Sequence, residues 1–414
     1  MTQGAQPQRL EITAIAAGGD GVARQENLVV FVPRTAPGDV VDARVSLHGR
    51  WARGRLERLE RGGPDRVEPP CPHYTVHQCG GCQLQHLAYP AQLEAKRTIV
   101  GDALERIGGR PVPVPPVRAS ERPWRYRRKL TLAMRWDGDG WIMGLHPFDA
   151  PGRIFDLDDC PITDERVVAV WADIRRAAAL LPRSRVLRGA VRLLGDADGA
   201  VFVLEGGRRW PTSGRFFERL PQLAAVWWVP DGGERQLIHD RRTSPQPGAS
   251  FAPVNPEVAA ELRAHVAARV LAHAPATVVD AYAGAGDLAS ALAALGVRVT
   301  AIELDAEAAA YCAGRLPAES RTLVGRVEDL LPEALPADVV LLNPPRAGVD
   351  ARVTEALLAG PRPRAIIYVS CNPATLARDL ARLPGYAVAS LAPFDMFPQT
   401  AHVETVCELI AEAA

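Results

Sequence analysis

The feature that most constrains the fold is a rhythm that begins near residue 250. Apolar runs of strand length, TVVDAY, VRVTAIE, DVVLLN and AIIYVS, alternate with helix-patterned stretches. Strands spaced this way pair in parallel, with helices on both faces of a doubly wound sheet. Ligands of such sheets gather at the carboxyl edge of the strands. Polar and reactive residues fall at that edge. GAGD follows the first strand, Glu303 closes the second, Asn343-Pro344-Pro345-Arg346 ends the third and Ser370-Cys371-Asn372-Pro373 ends the fourth.

In VVDAYAGAGDLASALAALGVRVTAIELD, Gly284 and Gly286 lie between a strand and a helix. Glycines let the backbone approach a ligand closely, and an acid at the next strand end can hold ribose hydroxyls. A dinucleotide would suit a GxGxxA match equally well. Asp280, four residues before Gly284 on the strand itself, gives D-x-x-x-G-x-G and favours S-adenosylmethionine (SAM). A tight turn with no ligand explains the glycines alone. The cofactor-contacting set expected is Tyr282, Gly284, Gly286, Asp287, Glu303, Arg326 and Asn343. Cys371, taken by itself, is open to three readings: packing, a metal ligand or a nucleophile.

The rest of the chain divides by composition. EITAIA, NLVVFVP and DVVDARVSL, joined by GGDG and APGD, read as a small β-barrel of the OB kind. Its end is locally basic, with seven arginines against three acids from Arg44 to Arg66. That run is either a solvated face or a phosphate-contacting surface. AQLEAKRTIVGDALERIG reads as an amphipathic helix ending at Gly108-Gly109, and PVPVPPV as a stiff linker. Residues 124–240 mix strand-like runs with one helix near 164–180, a central α+β domain. The expected division is 1–62, 63–240 and 241–414.

CPHYTVHQCGGC holds Cys71, Cys79 and Cys82, and Cys160 in DDCPI is the candidate fourth ligand. Four thiolates suit either Zn²⁺ or a [4Fe–4S] cluster, and spacing alone favours zinc. His73, His77 or His86 could replace one cysteine. RASERPWRYRRKLTLAMR carries seven basic residues and one acid, with Trp124 and Tyr126 interleaved. Charge with stacking surface is what single-stranded RNA binding uses, which nominates Arg125, Arg127, Arg128 and Lys129.

Global composition narrows less. The 414 residues are 47% apolar and 23% charged, which excludes a disordered chain. With 48 basic and 48 acidic residues, net charge carries no case for nucleic acid. The N-terminal stretch lacks the basic start and apolar core of a secretory signal. No uncharged apolar run of about 18 residues suggests a membrane span. Seven cysteines in a long chain suit a reducing compartment, so a cytoplasmic protein without a membrane partner is expected, and a monomer.

Taken together these motifs resemble the RNA (uracil-C5)-methyltransferases of the bacterial 23S rRNA type, over nearly the whole chain. GDGVAR and VVFVPRTAPGDVV look like a TRAM domain, and RVEPPCPHYTVHQCGGCQLQHLAYPAQLEAKR like the family's iron–sulfur segment. FAPVN, DAYAGAG, NPPRAG, YVSCNPATLARDL and HVETV follow in family order. The resemblance implies a class I methyltransferase domain, SAM as methyl donor, and [4Fe–4S] rather than zinc on Cys71, Cys79, Cys82 and Cys160. It implies Cys371 as the nucleophile that adds to uracil C6 and Glu404 as the base that removes the C5 proton, with His402 as competitor. Arg346 becomes an electrostatic helper and RNA contact. The RNA is rRNA by architecture, with tRNA as the alternative. A cytosine-C5 enzyme would need a cysteine in the strand ending NPPR, and an adenine or glutamine methyltransferase would need no Cys371. A binding protein that has lost turnover is the remaining alternative.

Three positions depart from the family pattern. Cys71 and Cys79 are spaced more widely, Pro253 stands where a glutamine is usual, and Asn343 replaces an aspartate. An amide offers both a donor and an acceptor to a uracil edge but no charge.

Overall fold

Alternation in the N-terminal strands buries Leu10, Ile12, Ala23, Val30, Val32, Val41, Ala43 and Ala52 in a common core. In the computed structural model, which describes residues 6–195, 199–243, 245–250 and 252–412, these strands close a barrel. The strands are β1 (Gln8–Ile15), β2 (Gly21–Gln25), β3 (Leu28–Val32), β4 (Val40–His48) and β5 (Trp51–Arg61), in the order β1-β2-β3-β5-β4. Closure removes the unpaired edge that a short sheet would expose.

The chain forms two compact units. The first comprises Met1–Pro70, Cys82–Glu121 and Glu257–Ala414; the second comprises Cys71–Gly81 and Arg122–Pro256. The second unit is built on a mixed sheet of β6 (Lys129–Trp136), β7 (Trp141–Leu145), β8 (Phe155–Asp156), β9 (Val186–Leu193), β10 (Ala200–Glu205), β11 (Leu223–Val229) and β12 (Gln236–Asp240). Their order is β12-β11-β10-β9-β6-β7-β8. The helix Glu165–Arg176, capped by Asp164, packs Val167, Val170, Trp171 and Ile174 into its core. A central α+β architecture is therefore present, as the sequence indicates.

The helix Tyr89–Arg106 belongs to the first unit, although its place in the sequence is within the expected central domain. Val100, Ala103 and Leu104 join the core of the C-terminal sheet, which explains the assignment.

That sheet contains β13 (Thr277–Ala281), β14 (Arg298–Glu303), β15 (Arg321–Val324), β16 (Val339–Leu342), β17 (Ala365–Ser370), β18 (Tyr386–Phe394) and β19 (Glu404–Ala411). Its order is β15-β14-β13-β16-β17-β19-β18. Strands β13 to β17 pair in parallel, whereas β19 runs antiparallel to both β17 and β18. Successive residues serve opposite faces: Val279, Ala281, Val340, Leu342 and Ile366 enter one core, and Val278, Val339, Leu341, Ala365 and Ile367 the other. Burial on both faces is what near-continuous apolar strands encode. The doubly wound α/β expectation is borne out.

Asp39 ties the barrel to the turn that leaves it. Its buried carboxylate accepts from Ala36 N at 2.6 Å, Gly63 N at 2.8 Å and Arg66 Nη2 at 2.6 Å. Burial works against the charge, but Arg66 and the two amides outweigh it and hold the carboxyl below its ordinary range. A depressed carboxylate stabilises the fold above its unfolded pKa and loses that contribution as pH falls through the folded value. Asp39→Ala should cost about 3 kcal/mol near pH 7, because Arg66 loses its partner. Denaturant melts at pH 7 and below pH ~4 should show that gap closing with acid.

Candidate active site

The carboxyl edge of the C-terminal sheet gathers the predicted cofactor and catalytic residues. Between β13 and the helix Asp287–Ala293 the backbone turns through Tyr282 (φ 65°), Gly284 (φ 57°) and Gly286 (φ 77°). A tyrosine in the left-handed region is uncommon, and such outliers cluster at ligand sites. At Gly286 a Cβ would sit 2.2 Å from Cys312 Sγ, so only glycine fits. At Gly284 a Cβ would meet nothing within 4 Å, which leaves an open face of backbone.

Glu303 ends β14 and reaches back to this loop. One carboxylate oxygen accepts from Gly284 N at 2.8 Å and the other from Asp305 N at 2.7 Å. Asp280 Oδ2 is buried without a hydrogen-bond partner. Burial pushes the Asp280 carboxyl up to about 7, opposed by the Ala289 amide and helped by the charge of Glu303. A polar atom left unpaired beneath an open glycine turn suits a ligand with amino and hydroxyl groups, so the residues fit SAM. Asp287 and Arg326 are more peripheral. Asp287 pairs with Arg315 at 2.7 Å, and Arg326, at the start of the helix Val327–Ala334, pairs with Glu328 at 3.3 Å.

Asn343 follows β16 directly and is held beside the tyrosine turn by its amide bond to Ala281 O at 3.3 Å. Its side chain is exposed. The NPPR turn is tied to the next strand end: Arg346 O accepts from Asn372 Nδ2 at 3.2 Å and Thr375 Oγ1 at 3.3 Å. Asn372 caps the helix Pro373–Ala381 by accepting from Ala374 N at 3.1 Å. Ser370 Oγ accepts from Asn372 N at 3.1 Å and closes the turn around Cys371.

The antiparallel register then decides what lies near the thiol. Ser370, the last residue of β17, pairs with Thr405, and Cys371 and Glu404 are the residues just beyond this pair, near enough for the Glu404 charge to act on the thiol. The Arg346 guanidinium acts electrostatically on both groups. Burial pushes the Cys371 thiol up, the negative charge of Glu404 adds to this, and Arg346 pulls it down. Arg346, expected as an electrostatic helper, pulls the thiol down but is outweighed by burial and Glu404 in the free protein. Burial also raises the Glu404 carboxyl to about 7, against the pull of Arg346. His402 precedes β19 rather than sharing its face, and its ring packs edge-on against Phe397.

The predicted RNA-contacting residues Arg125, Arg127, Arg128 and Lys129 lie in the second unit and are more internally committed than the segment's composition suggests. Arg125 binds Asp159 through both terminal nitrogens, at 2.6 and 2.8 Å, and also reaches Cys160 O. Arg127 Nε donates to Lys129 O at 2.9 Å. Burial and nearby arginines lower the Lys129 pKa. Arg128 donates its amide to Val254 O. Tyr126 is only 3% exposed and offers no stacking face, which corrects the expectation; Trp124 is half-buried.

Cys71, Cys79 and Cys160 also fall in the second unit and Cys82 in the first, and none of the four is in a disulfide. Gly81 N donates to Cys79 Sγ at 3.4 Å, and burial, with Cys71 nearby, raises the Cys160 thiol. These donors have the chemistry of a thiolate-ligated group. Among the described residues no three His, Cys, Asp or Glu side chains converge to hold a single metal ion. Pro253 is exposed, and Phe251 of the FAPVN motif lies outside the described residues.

Comparisons with known proteins agree with this geometry. A family model described as tRNA (Uracil-5-)-methyltransferase matches residues 317–412, and a TRAM domain model matches residues 5–50. An uncharacterized RNA methyltransferase of Gloeobacter violaceus is 38% identical over 96% of this chain and 95% of its own length. The chain belongs to the RNA (uracil-5-)-methyltransferase family. A second family member, an uncharacterized RNA methyltransferase of Halalkalibacterium halodurans, is 32% identical over 94% of each chain. The solved Pyrococcus abyssi tRNA (uracil-54, C5)-methyltransferase, in complex with S-adenosyl-L-homocysteine, superposes with a TM-score of 0.69. It covers 97% of this chain and 100% of its own at 23% identity, a likeness of fold. No helix among the described residues is long and apolar enough to cross a membrane.

The raised Glu404 carboxyl carries a stability signature. Its folded pKa, about 7, lies above the ordinary 4.5, so its contribution is fully present below pH 4.5 and is lost as pH rises through 7. Glu404→Gln cannot ionise and escapes that loss. Its melting temperature relative to the native protein should therefore rise between pH 5 and pH 8. A constant difference across that range would refute the assignment.

Proposed function

We propose that the protein methylates C5 of a uridine in structured RNA through a covalent adduct between Cys371 and uracil C6. The observation that carries this reading is that Cys371 and Glu404 lie just beyond the Ser370–Thr405 pair, with Glu404 and Arg346 both acting on the thiol. When bound, SAM supplies an electrophilic methyl group on a sulfonium. Gly284, Gly286, Glu303 and Asp280 are proposed to hold it, with Tyr282 and Asn343 beside them and Asp287 and Arg326 at the rim.

Uracil C5 is too weak a nucleophile to take a methyl group unaided. Addition of the Cys371 thiolate to C6 forms the S–C6 bond and moves electron density to C5. The thiol gives its proton to solvent and Arg346 favours the resulting thiolate; Glu404, with a pKa near 7, loses its own proton to solvent before it acts at C5. After C5 is substituted, the Glu404 carboxylate accepts the C5 proton. The electron pair of that C–H bond re-forms the C5–C6 double bond, and the Cys371 thiolate leaves. A base with a pKa near the working pH suits this step. The target base must be unstacked to reach Cys371, from a loop or by flipping.

The RNA is proposed to be rRNA, on the resemblance in barrel and cysteine segment; tRNA is the second reading, motivated by the matched family's description. Arg346, Arg127, Arg128 and Lys129 are the proposed RNA contacts, whereas Arg125 serves Asp159. A [4Fe–4S] cluster on Cys71, Cys79, Cys82 and Cys160 is proposed from the sequence and the donor chemistry, with no role in the reaction above. Anaerobically prepared protein should then absorb in the visible; a colourless, zinc-containing sample would overturn the cluster.

Incubation with SAM and 5-fluorouridine-substituted 23S rRNA or tRNA tests the activity. Fluorine cannot leave as a proton does, so an SDS-stable protein–RNA complex should accumulate, and Cys371→Ala should abolish it. The RNA that traps the protein identifies the substrate class. No complex with either RNA would end the proposal.

A further inference from the structure

The helix Tyr89–Arg106 buries Gln92 and Lys96 one turn apart, at 1% and 0% exposure, on the same face as Ile99 and Val100. Apolar side chains there would stabilise the fold as well or better, since a buried ion pair seldom repays its desolvation. Besides a bond from Gln92 Nε2 to Leu87 O at 2.9 Å, the polar groups reach residues 395–403 between β18 and β19. Lys96 Nζ donates to Asp395 Oδ1 at 2.5 Å and to Phe397 O at 3.0 Å. Tyr89 OH donates to Asp395 Oδ2 at 2.8 Å and accepts from Ser120 N at 2.8 Å. Gln92 Nε2 donates to Gln399 Oε1 at 2.9 Å, and Gln92 Oε1 accepts from Gln399 N at 3.0 Å.

Gln399 is itself in the left-handed region, at φ 68°. Its carbonyl accepts from both Gln83 N and Leu84 N, at 3.1 and 3.0 Å. The barrel turn bears on the same segment: a Cβ at Gly19 would lie 2.5 Å from Gln83 Cβ and 3.2 Å from Ala401 Cβ. The segment is thus held by directional bonds at Asp395, Phe397 and Gln399, and it delivers the chain into β19 at Glu404. Hydrogen bonds specify direction where apolar packing specifies only volume.

We propose that Lys96 and Asp395, with Gln92, Gln399 and Tyr89, are positioning residues that set the Glu404 carboxylate against the C5 proton of the adduct. The inference rests on the reading of Cys371 as nucleophile and Glu404 as base. The network acts through Glu404 alone. Cys371 is placed separately, by Ser370, Asn372 and the NPPR turn. Loosening the network therefore slows release of the adduct and leaves its formation largely intact.

The test uses the full-length protein with SAM and 23S rRNA or tRNA transcripts carrying [5-³H]uridine, whichever RNA the native protein labels. Adduct formation is read as SDS-stable complex, and resolution as tritium released to water. Lys96→Met/Asp395→Leu removes both charges together, so no orphan charge is left to unfold the chain. Its melting temperature should be at or above the native value. Its tritium release should fall by about ten- to a hundredfold, the range for a misplaced catalytic group, with adduct formation changed less than about threefold. Tyr89→Phe removes one hydroxyl from Asp395, keeps the fold, and should shift the same ratio by about threefold. Both rates unchanged in a folded variant, or both falling together, would overturn the proposal. A native protein that forms no adduct would instead refute the function on which it rests.

Discussion

The antiparallel pairing of β19 with β17 is the constraint on which the site depends. A parallel strand inserted there would enter the sheet at the opposite edge and carry its first residue away from the chemistry. Running antiparallel, β19 begins at the carboxyl edge, and the Ser370–Thr405 pair brings the residues just beyond it, Cys371 and Glu404, to the same end of the ladder. β18 then covers the far side of β19, so the pairing is locked on both edges. Everything else at the edge is built around that fixed pair. The NPPR turn is hydrogen-bonded to the Cys371 turn, and the glycine loop is clamped by Glu303.

The electrostatics of the pair follow from its burial. Glu404 and Cys371 both resist ionisation, and each makes ionisation of the other harder; Arg346 is the cation that faces both. In the free protein this keeps the thiol protonated and spares it from adventitious reaction. The arrangement carries a stability penalty at alkaline pH, a common property of active sites held near the working pH.

Much of this was legible in the sequence, for definite reasons. Continuous burial of β13, β16 and β17 produces apolar runs with no alternation, and helices between them impose a parallel order, so the fold and the edge could be read directly. Gly286 was legible because no other residue fits against Cys312. That Glu404 lies near Cys371 could be read only through the family resemblance, since register between strands more than thirty residues apart is set by pairing rather than by local pattern. The left-handed Tyr282 carries no signal, because a tyrosine is the last residue that propensity would put there. Composition misled at RASERPWRYRRK, where Tyr126 is buried and Arg125 is spent on Asp159. Charge density reports how many cations a segment has and says nothing of how many acids fold back upon them. Likewise three arginines of β4 and β5 pair with acids of the barrel: Arg44 with Glu57, Arg53 with Asp20 and Arg58 with Asp42.

The central claim is that Glu404 is the base that frees Cys371 from the methylated uracil. The most direct measurement is a single-turnover reaction of Glu404→Gln with methyl-labelled SAM and RNA carrying [5-³H]uridine. The account expects an SDS-stable complex that carries the methyl label, persists, and releases no C5 tritium. Free methylated RNA appearing at the native rate would contradict it.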